Sequence, residues 1–356
     1  MSRPIALRTV LFVVALTLIT AATASADQFH YINTFIGDRA AGMGGAYTAI
    51  ADGPEGMYYN PAGLAFAPAN YVSVSTNAFE FRNWRYEDLA GTGVDFERQS
   101  FTFVPNFFGF IQRGTDAVWG FTIFSPDSIA VNLRDTLTFP TNTGGSVDFD
   151  QEKTVVQDID YGISELGPAV GLLLGDQMGL GFALFAGYTQ NEELSRETDR
   201  FTRSSDGAYL FQTQNNRTVD SDLFSLRPQI GLQYLLSDTI SLGFSTSADF
   251  PIYREVGVIS SASGDASQGS VTDYSISSSS IFSDGFFTFS TVQNRLGVAW
   301  FASRRLIVSG DVMMYLPINP DDVDKESERQ FTWNAAIGTE YYVGQNFPLR
   351  FGLFTN

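Results

Sequence analysis

Large apolar residues alternate with small or polar ones along much of the chain, and a period of two specifies half-buried β-strands. Met178, Leu180, Phe182, Leu184 and Tyr188 alternate with Gly179, Gly181, Ala183, Phe185 and Gly187. Ile240, Leu242, Phe244 and Phe250 alternate in the same way with Ser241, Gly243, Ser245, Ser247 and Asp249. A third run sets Leu306, Val308, Val312, Met314 and Leu316 against Ile307, Ser309, Asp311 and Tyr315. Each run belongs to a hairpin: residues 166–188, 227–250, 295–316 and 333–354 all read as strand, short polar break, strand. The breaks, such as Gly175-Asp176-Gln177 and Ser237-Asp238, have tight-turn chemistry. A weaker copy, residues 100–125, turns near Arg113.

One face of these strands is greasy and the other small or polar. A soluble sandwich would bury the greasy face against a second sheet, whereas a membrane barrel turns it to lipid. The connections favour the barrel. Residues 132–160, 191–221, 254–280 and 317–330 read as long, polar, acidic loops. Short and long connections therefore alternate, as they do around outer-membrane barrels. Trp84, Trp119, Tyr188, Tyr234, Trp300, Tyr315 and Tyr341 sit near predicted strand ends, where aromatic girdles form. The pattern yields about eleven strands from Tyr71 onward. Single-chain bacterial barrels close with an even number, and Asn356 is not a terminal aromatic residue, so the expectation is a barrel whose C-terminal strands lie beyond this chain.

The first residues define the compartment. Arg3 and Arg8 precede an apolar run at 10–19 and a small-residue stretch ending Ala24-Ser25-Ala26. This is a secretory signal peptide over residues 1–26, too short for a membrane anchor, with Asp27 as the expected mature start. The chain has no Cys, which excludes lipoprotein acylation and disulfides. Its 32 Phe, 15 Tyr and 33 Gly suit an exported β-protein, and a net charge of −18 argues against nucleic-acid binding. His30 is the only histidine, so Ser-His-Asp, His-zinc and Cys-His chemistries lack partners. The carboxylates Asp321, Asp322, Glu326 and Glu328 read as a solvated loop. No enzyme signature and no cofactor site emerges.

Residues 35–68 carry a Gly-rich stretch, Gly37-Asp38-Arg39-Ala40-Ala41-Gly42-Met43-Gly44-Gly45-Ala46, then Tyr59-Asn60-Pro61-Ala62-Gly63-Leu64. A phosphate-binding loop is excluded, because no apolar strand precedes the glycines and no Lys-Ser/Thr follows. The segment resembles the N-terminal region of FadL-type outer-membrane transporters and of their PorV-like and spirochaete relatives. The resemblance implies an all-β, antiparallel transmembrane barrel of about 14 strands, about 11 of them in this chain. It implies an N-terminal hatch (27–69) inside the lumen of the barrel (70–356), and location in the cell outer membrane. The implied function is passive uptake of long-chain fatty acids or other hydrophobic molecules. A PorV-like barrel that anchors or shuttles secreted proteins is the alternative. Outer-membrane lipid is the surrounding partner.

Glycines at 42, 44 and 45 permit positive φ and close backbone approach, as a compact plug requires, while Pro61 pushes Asn60 toward an extended conformation. Gly42, Gly44, Gly45, Asn60 and Pro61 are thus the candidate hatch residues. Strand parity makes a second set. If the greasy face meets lipid, Arg227, Asp249, Arg295, Asp311, Glu340 and Arg350 point inward, because a lipid-facing charge costs about 2–4 kcal/mol at the midplane. Arg227, Arg295 and Arg350 are the candidates for holding a ligand carboxylate; the other expectation is that these charges pair with each other or with the hatch.

Overall fold

Alternation of large and small residues, short turns, and β-branched and aromatic side chains produce a single antiparallel sheet. The computed structural model describes residues 34–86, 96–115, 117–141, 149–266, 275–282, 292–317, 331–344 and 346–355. Residues 1–26, expected to be a signal peptide, and His30, Asp321, Asp322, Glu326 and Glu328 lie outside them. Thirteen strands follow in order: β1 (Tyr71–Tyr86), β2 (Phe96–Arg113), β3 (Ala117–Thr141), β4 (Phe149–Leu174), β5 (Met178–Arg203), β6 (Tyr209–Ser237) and β7 (Ile240–Ala248). Then come β8 (Phe250–Ala266), β9 (Ser275–Phe282), β10 (Val292–Ser303), β11 (Leu306–Tyr315), β12 (Thr332–Val343) and β13 (Phe347–Phe354). The main path runs β1 to β7 and then β10 to β13, eleven strands. β7 pairs with the turn-proximal half of β6 and β8 with its far half, so the two form one strand interrupted at Asp249.

The long connections differ from expectation. Most of residues 132–160, 191–221 and 254–280 continue the strands: β3 pairs with β4 out to Thr141–Phe149, and β5 with β6 out to Thr202–Tyr209. β4, β5 and β6 run for 26, 26 and 29 residues, against about 9–11 needed to cross a bilayer. Both faces of the sheet meet water beyond the bilayer, so the polar sequence there loses its two-residue hydrophobic period. The backbone ladder, which needs no apolar side chain, continues. Segment 317–330 falls almost wholly outside the described residues.

Parity holds within the membrane-crossing part. In β5, Gly179, Gly181, Ala183, Phe185 and Gly187 are buried, while Phe182 and Leu184 are exposed. Leu232, Leu242, Val298 and Val312 also face outward. Trp119, Tyr234, Trp300 and Tyr341 stand exposed near the short turns, and Tyr188, Phe224 and Tyr253 group at the other level. Phe224 and Tyr234 are ten positions apart on β6, which matches one tilted membrane crossing. Tyr315 departs from the girdle expectation. It is buried and faces inward, because it shares the parity of Asp311 and Met313. The side chain of Trp84 is outside those described. Among the described residues no helix is long and apolar enough to cross a membrane.

The hatch segment fills the concave side. It forms α1 (Asp38–Gly42), α2 (Gly56–Tyr59) and a 3₁₀ helix (Pro61–Phe66). Ile36, Met43, Tyr47, Met57, Tyr59 and Leu64 are almost wholly buried there, against Phe107, Ile111, Phe124 and Phe185 of the sheet.

Candidate functional site: the hatch and the wall that holds it

The hatch reaches the wall where the wall has no side chains. A Cβ on Gly181 of β5 would stand 2.1 Å from the Ala62 backbone N, one on Gly243 of β7 2.2 Å from the Thr48 carbonyl, and one on Gly338 of β12 2.4 Å from the Met43 carbonyl. On β13, Gly352 meets Gly44 in the same way, at 2.1 Å. These inward positions let hatch backbone lie directly on strand backbone. Within the hatch, Gly44 and Gly45 have φ of 64° and 83°, where a β-branched residue is strained. Gly42 differs from expectation. It is the last residue of α1, and its missing Cβ instead makes room for Arg350, whose own Cβ would lie 2.8 Å away.

Asn60 explains the Asn-Pro-Ala block. Its backbone is extended (φ −160°, ψ 100°), and its side-chain oxygen accepts from Ala62 N–H at 3.2 Å, capping the 3₁₀ helix that Pro61 begins. Its amide donates to the carbonyls of Thr48 at 2.8 Å and Leu232 at 3.2 Å. One side chain thus joins two hatch turns to β6.

Wall side chains satisfy other hatch groups. Asp311 of β11 accepts from the backbone N–H groups of Tyr47 at 3.0 Å and Thr48 at 2.8 Å. Gln229 and Gln233 of β6 donate to the carbonyls of Tyr58 at 2.9 Å and Ala49 at 3.1 Å, and Ser245 of β7 donates to that of Tyr59 at 2.7 Å. Among the described residues, no backbone-to-backbone hydrogen bond joins the hatch to the sheet.

Two charged clusters complete the contact. At the first, Arg39 of α1 grips Glu340 of β12 with Nε at 3.1 Å and Nη2 at 3.0 Å. Arg350 of β13 adds Nε to the same carboxylate at 2.6 Å, and the Arg39 Nη1 reaches Asp52 at 2.6 Å. The Tyr47 hydroxyl, 3.1 Å from the Glu55 carboxylate, extends the cluster into the hatch. Burial raises Glu55 above the usual carboxylate range, and burial raises Tyr47 likewise. At the second, Arg227 of β6 pairs with Glu165 of β4 at 2.7 Å, with Asp249 at 3.9 Å. The Arg227 guanidinium lies 5.1 Å from the Tyr58 ring, 5.4 Å from Phe124 and 5.0 Å from Phe185. Arg295 of β10 lies 4.8 Å from the same Tyr58 ring and 5.0 Å from Tyr59. With the Gln293 amide oxygen turned toward it, Arg295 donates Nε at 3.0 Å and Nη2 at 2.9 Å. Arg227 and Arg295 therefore both lie against Tyr58, while Arg350 belongs to the other cluster. Arg39, Glu165 and Tyr58 did not emerge from the sequence. Glu165 carries the parity signal, being adjacent to lipid-facing Leu166, and Arg39 lies in the Gly-rich motif.

The sequence matches no family model and no curated protein. Solved structures do match. The Pseudomonas putida toluene transporter TodX superposes with a TM-score of 0.61 at 15% identity, over 91% of this chain and 85% of that one. The Ralstonia pickettii toluene transporter TbuX gives 0.56 at 13% identity, over 91% and 87%. The monoaromatic hydrocarbon channel CymD gives 0.56 at 12% identity, over 92% and 86%. At such identities the likeness is one of fold. The chain has the architecture of a FadL-type antiparallel transmembrane β-barrel, the class its N-terminal motif implied.

Proposed function

We propose that this chain is an outer-membrane barrel through which small hydrophobic molecules pass by displacement of the hatch, with the short turns on the periplasmic side. One observation carries the reading: the hatch is held by side chains and by close contact, with no strand pairing to the wall among the described residues. Such a plug can shift without breaking the sheet. Tyr58, Phe124 and Phe185, with Arg227 and Arg295 against them, form a largely buried aromatic floor that a ligand from the long-strand side would meet as the hatch shifts. The fold neighbours named as toluene transporters and a monoaromatic hydrocarbon channel support uptake of hydrophobic compounds.

Uncharged ligands suit this floor better than long-chain fatty acids. A ligand carboxylate would have to displace Glu165 from Arg227 or Glu340 from Arg350, and breaking a buried pair costs about 3–5 kcal/mol. Arg295 has no carboxylate within ion-pair distance among the described residues, so it is the guanidinium through which a fatty acid would be held. The test is uptake of toluene and of oleate by cells carrying the protein, with Arg227→Gln, Arg295→Gln and Arg350→Gln variants. Toluene uptake above a strain lacking the protein is expected; uptake of neither compound overturns the reading. Loss of oleate uptake alone in Arg295→Gln would establish the fatty-acid specificity. The tall β4–β6 sheet offers a docking surface for the alternative, a carrier of secreted proteins, which would move ahead if no uptake occurs.

A further inference from the structure

At the short-turn end, beneath the hatch, lies a half-open cavity of about 180 Å³. Ala65 of the 3₁₀ helix forms its roof, Ala117 and Val118 of β3 and Gly171 and Leu173 of β4 its walls, and Arg113 its lip. An apolar cavity of about 150 Å³ is enough to hold one benzene ring. Arg113 is fixed there, donating Nη1 to the Ala67 carbonyl and its backbone N–H to the Asn70 side chain, each at 2.8 Å. Its guanidinium is thereby held at the edge of a space whose other side chains are Ala65, Ala117, Val118, Leu173 and the rim residue Thr115, where a cation can lie over an aromatic face.

A file of inward positions on β3 joins this cavity to the aromatic floor: Phe124, Thr122, Gly120 and Val118. At about 3.3 Å per residue the file spans about 20 Å. Met57 of the hatch fills it midway. The place of a Cβ on Gly120 lies 3.0 Å from the Met57 sulfur, and that of one on Gly109 lies 3.3 Å from its terminal methyl. Methionine is unbranched and flexible, so it is the side chain that yields most easily along this seam.

We infer that the cavity under Ala65 is a second ligand site, taking a single small aromatic molecule that has passed Met57 along β3. This rests on the transport reading, and the experiment separates the two. The chain has no cysteine, so Thr115→Cys places one thiol on the cavity rim, and Ser237→Cys places one on a distant turn of the same end. Each variant is reconstituted into vesicles and labelled with a maleimide, with and without toluene, while toluene entry is followed separately. Toluene should slow labelling of Thr115→Cys at least threefold and leave Ser237→Cys unchanged. Adding Val118→Trp to Thr115→Cys, or Leu173→Trp from the neighbouring strand β4, should fill the space and abolish the protection. Equal labelling rates at Thr115→Cys with and without toluene overturn the site even where toluene enters. Protection that persists with the cavity filled by either tryptophan overturns it as well. Protection without toluene entry keeps the site, filled then from the short-turn side, and removes both the passage along β3 and the transport reading.

Discussion

Arg39 and Glu340, 301 residues apart, meet in a two-pronged ion pair that ties the first hatch helix to β12. Glu340 is fully buried and also receives Arg350, so one carboxylate bridges a hatch cation and a wall cation, with Asp52 as the second anion on Arg39. The paired geometry is what makes its burial tolerable.

Removing that charge should therefore loosen the hatch. Glu340→Gln leaves two guanidiniums sharing a neutral amide, a loss on the scale of about 3–5 kcal/mol for a broken buried pair. The reporter is Ala46→Cys, a buried position. Maleimide should label it slowly in the parent protein and at least tenfold faster with Glu340→Gln. Equal rates would show that the ion pair does not hold the hatch.

Glycine contacts on the two sides of the interface separate hatch seating from barrel assembly. Gly181→Ala keeps ordinary strand backbone but drives a methyl into Ala62, whose N lies 2.1 Å from the new Cβ. Gly45→Val strains a backbone at φ 83° and strikes the Phe35 ring; the backbone alone costs about 1–2 kcal/mol. Both variants should insert into membranes normally, and both should show fast labelling of Ala46→Cys. A variant that fails to insert would place its glycine in barrel folding instead.

Sidedness is testable with the same chemistry. Asp206 lies in the turn that joins the far ends of β5 and β6, and Asp238 in the short turn between β6 and β7. A membrane-impermeant thiol reagent added to intact cells should label Asp206→Cys and spare Asp238→Cys. The reverse pattern would invert the proposed orientation.

Glu55 gives a pH signature. Burial raises its folded value above the ordinary one, which is about 4.3 in an unfolded chain. The folded hatch therefore disfavours the ionised form. Stability is highest below the ordinary value and falls as pH rises through the window up to the raised one. Glu55→Gln removes that titration and keeps an oxygen for the Tyr47 hydroxyl. Labelling of Ala46→Cys, corrected for thiolate content, should rise with pH in the parent protein and rise less in Glu55→Gln; identical slopes would exclude Glu55.

Much of this was legible from spacing. Two-residue alternation set which face of β5, β7 and β11 meets lipid, because a lipid-facing charge is expensive and a strand has only two faces. The inward placement of Arg227, Arg295 and Asp311 followed from that parity. The turns at Gly175 and Ser237 followed from their turn residues, and the extended backbone of Asn60 from Pro61 after it. Local rules cannot supply partners. Glu165 meets Arg227, and Asp311 meets the Tyr47 and Thr48 N–H groups, only because the register of the curved sheet brings distant positions to one level of the lumen. The polar stretches in β3–β6 gave no hydrophobic period, since water bathes both faces, and only backbone pairing made them strands. The wall glycines looked like ordinary small residues of alternating strands. Their use as the surface on which the hatch backbone lies depends on contacts between segments more than a hundred residues apart, so it was decided by the folded sheet packing against the hatch.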